Sequence, residues 1–167
     1  MVLWYLGMAF VLVVVVFDSP GLDYRLVMAG ALVPVVEQII EGPGVTQTLV
    51  FAVAVLIAVM ATTRGRRLVR RRWLGAPIGL FMYLVLSGAW LHGDLFWWPA
   101  LGVDVPTDQR PDLPPVGVVV ALELAGAGAL VWAWRRFDLA DQANRRLLVR
   151  TGQLSRRAMR DQPPTTC

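Results

Sequence analysis

The sequence predicts an all-α protein: a polytopic transmembrane helical bundle of about five spans, with an amphipathic cytoplasmic tail at the C-terminus. Three observations predict it. The chain is 56% hydrophobic over 167 residues, with a mean hydropathy of +0.56, well above the usual soluble domain of this size. Its apolar residues fall into runs nearly free of charge, each long enough to cross a bilayer once. The charges flank those runs instead of spreading over a soluble face, which is the pattern of a membrane chain.

The first run, Val2–Phe17, carries no charge and lacks the basic start and small-residue cleavage site of a signal peptide, so it reads as an uncleaved span. Its valines would suit a strand in water, but an isolated segment in lipid satisfies its own backbone only as a helix. A turn at 18–21 leads to span two, residues 26–40, interrupted by Pro34 and carrying Glu37 near its far end. A second turn at 41–44 precedes span three, residues 46–61, and residues 62–72 form an arginine-rich loop.

Residues 73–99 anchor the topology, with arginines before them and the Trp97-Trp98 pair at their end. Span four occupies residues 74–91, with Pro77 in its first turn, where a missing N–H is tolerated. Gly75 and Gly79 have the GxxxG spacing of a close helix contact, and Gly88-Ala89 offers a second small surface; simple abundance of glycine in spans explains them equally well. Residues 92–115 form a polar loop with four aspartates. Span five, residues 116–134, carries the small residues Ala121, Ala125 and Ala129 on one stripe and Glu123 within it. The bundle is thus expected over 1–137 and the basic tail over 138–167. The tail reads as one or two surface helices broken near Gly152, with 162–167 disordered.

All 16 basic residues are arginine, and the formal charge is +4. Arginines in the 64–72 loop and in the tail place both on the cytoplasmic side of a bacterial inner membrane, and the aspartate-rich loop outside. Counting back through five spans puts the N-terminus outside. The expected partners are a bilayer with anionic headgroups and a membrane protein or a second copy of the chain, with no nucleic acid. The single cysteine, Cys167, excludes an internal disulfide and any CxxC site.

Glu37, Gln47, Tyr83, Ser87, His92 and Glu123 all fall toward the outer side, so they are candidates to line one pocket. An acidic residue inside a span costs on the order of 2.5–3.5 kcal/mol, so Glu123 needs a partner. It is either a carboxylate ligand or general base, or a paired group that locks helices together. Glu123 and Ser87 are the candidate catalytic residues; Glu37, His92 and Asp94 are the candidate ligands for one divalent metal ion. The structural readings are a snorkelling Glu37 and a plain interfacial His92. One histidine excludes a multi-histidine zinc site within the chain.

Four pieces carry a family resemblance: Ala31-Leu32-Val33-Pro34 with Glu37; the segment at 42–49; the segment at 80–90 ending Gly88-Ala89-Trp90; and Phe96-Trp97-Trp98-Pro99. Together they resemble the membrane-bound metal-dependent hydrolase family over roughly residues 25–100. The resemblance implies a multi-span fold and a metal site for hydrolysis. This chain departs from the pattern at the ligands. Val35 stands where the family has aspartate, Gln47 and Tyr83 where it has histidines, and Ser87 where it has a second aspartate, while Glu37 keeps an acid. Loss of two nitrogen ligands and an anionic oxygen leaves a weak divalent site. The resemblance therefore implies the fold together with a lost or remodelled metal site and a structural or partner-binding role. The alternative is an active hydrolase acting on a lipid-linked or periplasmic substrate.

Overall fold

The computed structural model describes residues 1–17, 19, 21–40, 44–88, 90, 96–97 and 115–152. Among them every regular element is helical. In chain order they are α1 (Val2–Phe17), α2 (Tyr24–Ile40), a 3-10 turn at Val45–Gln47, α3 (Leu49–Thr62), α4 (Arg67–Trp73), α5 (Gly75–Leu86), α6 (Val116–Arg136) and α7 (Gln142–Thr151). The turns expected around residues 18–20 and 41–43, Ala89, most of the loop at 92–115 and the end of the tail lie outside the described residues.

Side-chain and backbone contacts set the direction of each helix. Leu3 of α1 bonds Glu123 of α6, and Phe10 meets Phe137 just beyond the end of α6, ring centroids 6.2 Å apart. So α1 and α6 run parallel. Val27 of α2 lies against Gly79 of α5, and Tyr83 of α5 reaches Gln38 at the far end of α2, so α2 and α5 are parallel too. Tyr5 near the start of α1 stacks on Tyr83, 4.7 Å between centroids, while Phe10 meets Tyr24 at the start of α2. The two pairs are therefore antiparallel to each other. Each successive apolar helix reverses direction.

Glycines let these helices approach backbone to backbone. A Cβ on Gly79 would fall inside contact distance of the Val27 carbonyl, one on Gly30 would meet the Ala76 carbonyl, and Gly7 and Gly126 face each other across α1 and α6. The GxxxG pair Gly75 and Gly79 is thus a packing surface, used against α2. The expected stripe on α6 is displaced by one residue: Ala121 and Ala125 are exposed, and Gly126 makes the close contact instead. Gly88, at a φ of +67°, follows the end of α5.

Two apolar clusters fill the space between helices. One gathers Phe10, Val13, Tyr24, Val27, Ala133 and Phe137. The other gathers Tyr5, Val35, Ala52, Leu80, Tyr83 and Leu84 nearer the opposite end. Helix boundaries have local causes. The Thr48 hydroxyl accepts from Phe51 N–H at 3.2 Å and caps α3. The break between α4 and α5 comes four residues before Pro77, where the ring crowds the Trp73 carbonyl and the N–H is missing; Leu74 itself keeps helical angles. So part of the expected arginine loop is helix.

α6 ends in a Schellman motif. Leu139 N–H bonds the Trp134 carbonyl at 3.1 Å and Asp138 N–H the Arg135 carbonyl at 3.3 Å, with Asp138 at φ +45°. A left-handed aspartate is strained relative to glycine, so Asp138→Gly is expected to stabilise the protein by about 1 kcal/mol in thermal unfolding. An unchanged or lowered midpoint would show that Asp138 makes a compensating bond. The tail helix α7 does end at Gly152, at φ +70°. Its described contacts run to the rest of the protein. Leu148 packs on the first cluster, Tyr24 N–H bonds the Gly152 carbonyl at 2.8 Å, and Arg25 bonds the Val149 carbonyl at 2.7 Å. The tail helix is clamped to the start of α2.

Among the described residues, one helix is long and apolar enough to cross a bilayer, the 21-residue α6, and only 11% of its most apolar stretch is buried. A core helix of a soluble protein would be mostly covered. The other apolar helices have 16, 17, 14 and 12 residues. At 1.5 Å per residue these reach roughly 18–26 Å, short of a hydrocarbon core of about 30 Å.

Candidate functional site

The reversing helices sort the chain into two ends. One collects the close of α1, α3 and α6 with the start of α2 and α5, and every described arginine is there. The other holds the start of α1, the close of α2, the 3-10 turn and the close of α5. Glu37, Gln38, Gln47, Tyr83 and Ser87 lie at this second end, with Glu123 about two turns in from the start of α6.

Glu37, near the last turn of α2, turns its carboxylate onto the 3-10 turn. Its Oε2 accepts from Thr46 N–H at 3.2 Å and from the Thr46 hydroxyl, and the group lies against Gly44. A carboxylate taking two local donors ties the α2–α3 connection; it is not a group snorkelling free at a span end. Sequence reasoning did not pick out Thr46. A hydroxyl and a backbone N–H nine residues from an acid leave no motif to find.

Glu123 finds the partner that its position demands. Oε1 pairs with the Met1 amino group at 3.0 Å, and Oε2 accepts from Leu3 N–H at 2.8 Å. Both oxygens serve the opening of α1, whose first N–H groups have no partner inside the helix and whose N-terminal end favours a negative charge. This is the helix-locking arrangement. Its partners are backbone groups, which side-chain patterns do not reveal.

Ser87 follows the last residue of α5 and donates to the Leu84 carbonyl at 3.3 Å. A nucleophilic serine needs a base beside it; this hydroxyl is engaged on its own helix. Tyr83 is 2% exposed, donates to Gln38 Oε1 at 3.5 Å and stacks on Tyr5. It is a core ring with a polar tip. Gln38, adjacent to Glu37, was the polar neighbour that the sequence reading passed over.

The bonds of Glu37, Ser87 and Glu123 lead to separate parts of the chain, Thr46, Leu84 and the opening of α1, and none of the described bonds runs between them. Among the described residues no three His, Cys, Asp or Glu side chains come together as a metal-binding group. His92 and Asp94 lie outside the described residues. Two open depressions lie on α6 around Gly128, Val131, Trp132 and Arg135, and none of these candidate side chains lines them.

Gln47 stands apart. It is 9% exposed, and its buried amide Nε2 has no hydrogen-bond partner among the described residues. A buried unpaired donor costs on the order of 1–3 kcal/mol. Gln47→Leu, close in volume, is therefore expected to raise stability by about 1 kcal/mol in a denaturant or thermal titration. Destabilisation would show that the amide is satisfied in the working protein.

Comparison of the chain with protein-family models, with curated proteins and with solved structures gives no match.

Proposed function

We propose that this chain is a multi-pass protein of a bacterial inner membrane. In this reading α1, α2, α3, α5 and α6 cross the bilayer, and the arginine end is cytoplasmic. Its role is structural, holding a membrane partner or a second copy. The observation that carries the reading is the pairing of alternating helix direction with segregation of every described arginine to one end. Tryptophan placement adds to it. Trp73, Trp132 and Trp134 are exposed at the arginine end, and Trp90 and Trp97 are exposed after α5, as expected of two interfacial belts. Exposed valines and isoleucines along α1, α2, α3 and α6 need an apolar surrounding. The shorter helices are accommodated by local thinning of the bilayer and by flanking arginines and tryptophans that reach the interface.

The likeness to membrane-bound metal-dependent hydrolases stays part of this proposal, with the family's ligand positions replaced. The separate engagement of Glu37 with Thr46 and of Glu123 with α1 supports the structural role over a shared metal ion.

Topology is tested with single cysteines in a Cys167→Ser background. Thr46→Cys and Arg145→Cys are expected to react with a membrane-impermeant maleimide from opposite faces of sealed cells. Labelling of both from one face would overturn the five-span arrangement. Metal content tests the role: stoichiometric zinc, manganese or iron that is lost in both Glu37→Ala and Glu123→Ala would establish the hydrolase reading instead.

A further inference from the structure

We propose that the short helix α4 is the element that recognises anionic lipid headgroups, and that α7 is not. This deepens the proposed membrane reading and rests on the arginine end lying at headgroup level.

The two arginine-bearing helices differ in how they treat their apolar side chains. In α4, Arg67, Arg70, Arg71 and Arg72 alternate with Leu68, Val69 and Trp73. Leu68 is 81% exposed and Trp73 52% exposed, and no residue of α4 is buried. None of its arginines has a carboxylate partner among the described residues. Arg71 lies over Gly21 in the α1–α2 turn, its guanidinium 3.5 Å from where a Cβ would stand. The helix thus offers guanidinium groups with no described carboxylate partner and uncovered apolar side chains together, directly before a proposed span. Guanidinium groups match phosphate oxygens in fork geometry, while a leucine and a tryptophan suit the boundary between headgroups and acyl chains. A phosphate track on nucleic acid would leave Leu68 in water.

In α7 apolar contact is already made with the protein. Leu148 packs on the protein core, and the Val149 and Gly152 carbonyls are held by Arg25 and Tyr24. Arg145, Arg146 and Arg150 are exposed, and among the described apolar side chains of the helix only Val149 is exposed. Its contribution is long-range charge, screened within a Debye length.

The test uses the full chain purified in detergent, with retained lipid counted by native mass spectrometry after exposure to phosphatidylglycerol or phosphatidylcholine. Wild type is expected to prefer phosphatidylglycerol, and to lose the preference in high salt. Each arginine near an anionic surface is worth about fivefold in binding, so R67Q/R70Q/R71Q/R72Q should weaken retention by more than about tenfold. R145Q/R146Q/R150Q should change it by less than about threefold, the screened residue of the same effect. Leu68→Gln should weaken retention without any loss of charge. Equal retention of both lipids by wild type, or an equal loss in the α7 variant, would overturn the proposal. So would displacement of phosphatidylglycerol by inorganic phosphate, which would mark a free-phosphate site. If the quadruple variant misfolds by circular dichroism, the wild-type lipid preference and Leu68→Gln decide. Extraction of the protein from membranes by alkaline carbonate would sink the membrane reading itself. Retention in the membrane without lipid preference would sink this inference alone.

Discussion

Gly79→Leu is expected to destabilise the bundle by about 3 kcal/mol or more, since overpacking at a backbone contact has no side chain that can yield. The Cβ alone would stand within contact distance of the Val27 carbonyl and the Ala31 N–H. Those groups belong to the hydrogen-bond ladder of α2 and cannot swing aside without breaking it. Gly30 and Gly75 make the same kind of approach on this crossing, so the helices can part only as a unit. Gly128→Leu is the matched control. Nothing lies within 4 Å of its Cβ position, and leucine exceeds glycine in helix propensity by somewhat under 1 kcal/mol. Gly128→Leu should therefore leave stability unchanged or slightly raised. Far-UV circular dichroism against temperature in one detergent compares them. Equal midpoints for the two variants would refute the tight α2–α5 crossing.

Glu123→Ala is expected to cost about 2 kcal/mol by removing both acceptors from the opening of α1 and leaving the Leu3 N–H unpaired. Glu123→Gln keeps a carbonyl oxygen for Leu3 but not the charge opposite the Met1 amino group, and should lose roughly half as much. The decisive readout is local: amide exchange at Leu3 and its neighbours in α1 should accelerate in Glu123→Ala. If exchange there is unchanged while metal content or a hydrolytic activity is lost, the carboxylate works elsewhere and the helix lock is wrong.

Several features were legible from residue order. The apolar runs gave helices with boundaries within a few residues for α1 and α6, because uncharged stretches bounded by turn residues and arginines leave little choice of end. Gly152 also marks a break, because glycine takes the positive φ that ends a helix. The demand that Glu123 find a partner was also readable, because an isolated carboxylate in an apolar helix is too costly. The identity of that partner was not. The Met1 amino group and the Leu3 N–H are generic groups that any chain has. The helical stretch at α4 is hidden in the sequence, because a run of arginines signals topology more loudly than secondary structure.

By itself the sequence determined the all-α class, the number of apolar segments and the asymmetry of charge, because these follow from composition and one-dimensional spacing. Only the tertiary structure decided which faces meet. Gly126, not the alanine stripe, touches α1, Gly79 touches α2, and the tail helix turns Leu148 to the bundle. Those choices depend on rotation about each helix axis, and rotation is set by backbone approach between segments distant in the chain. The same rotation sends the bonds of Glu37, Ser87 and Glu123 to separate partners, although all three residues fall toward one end of their helices.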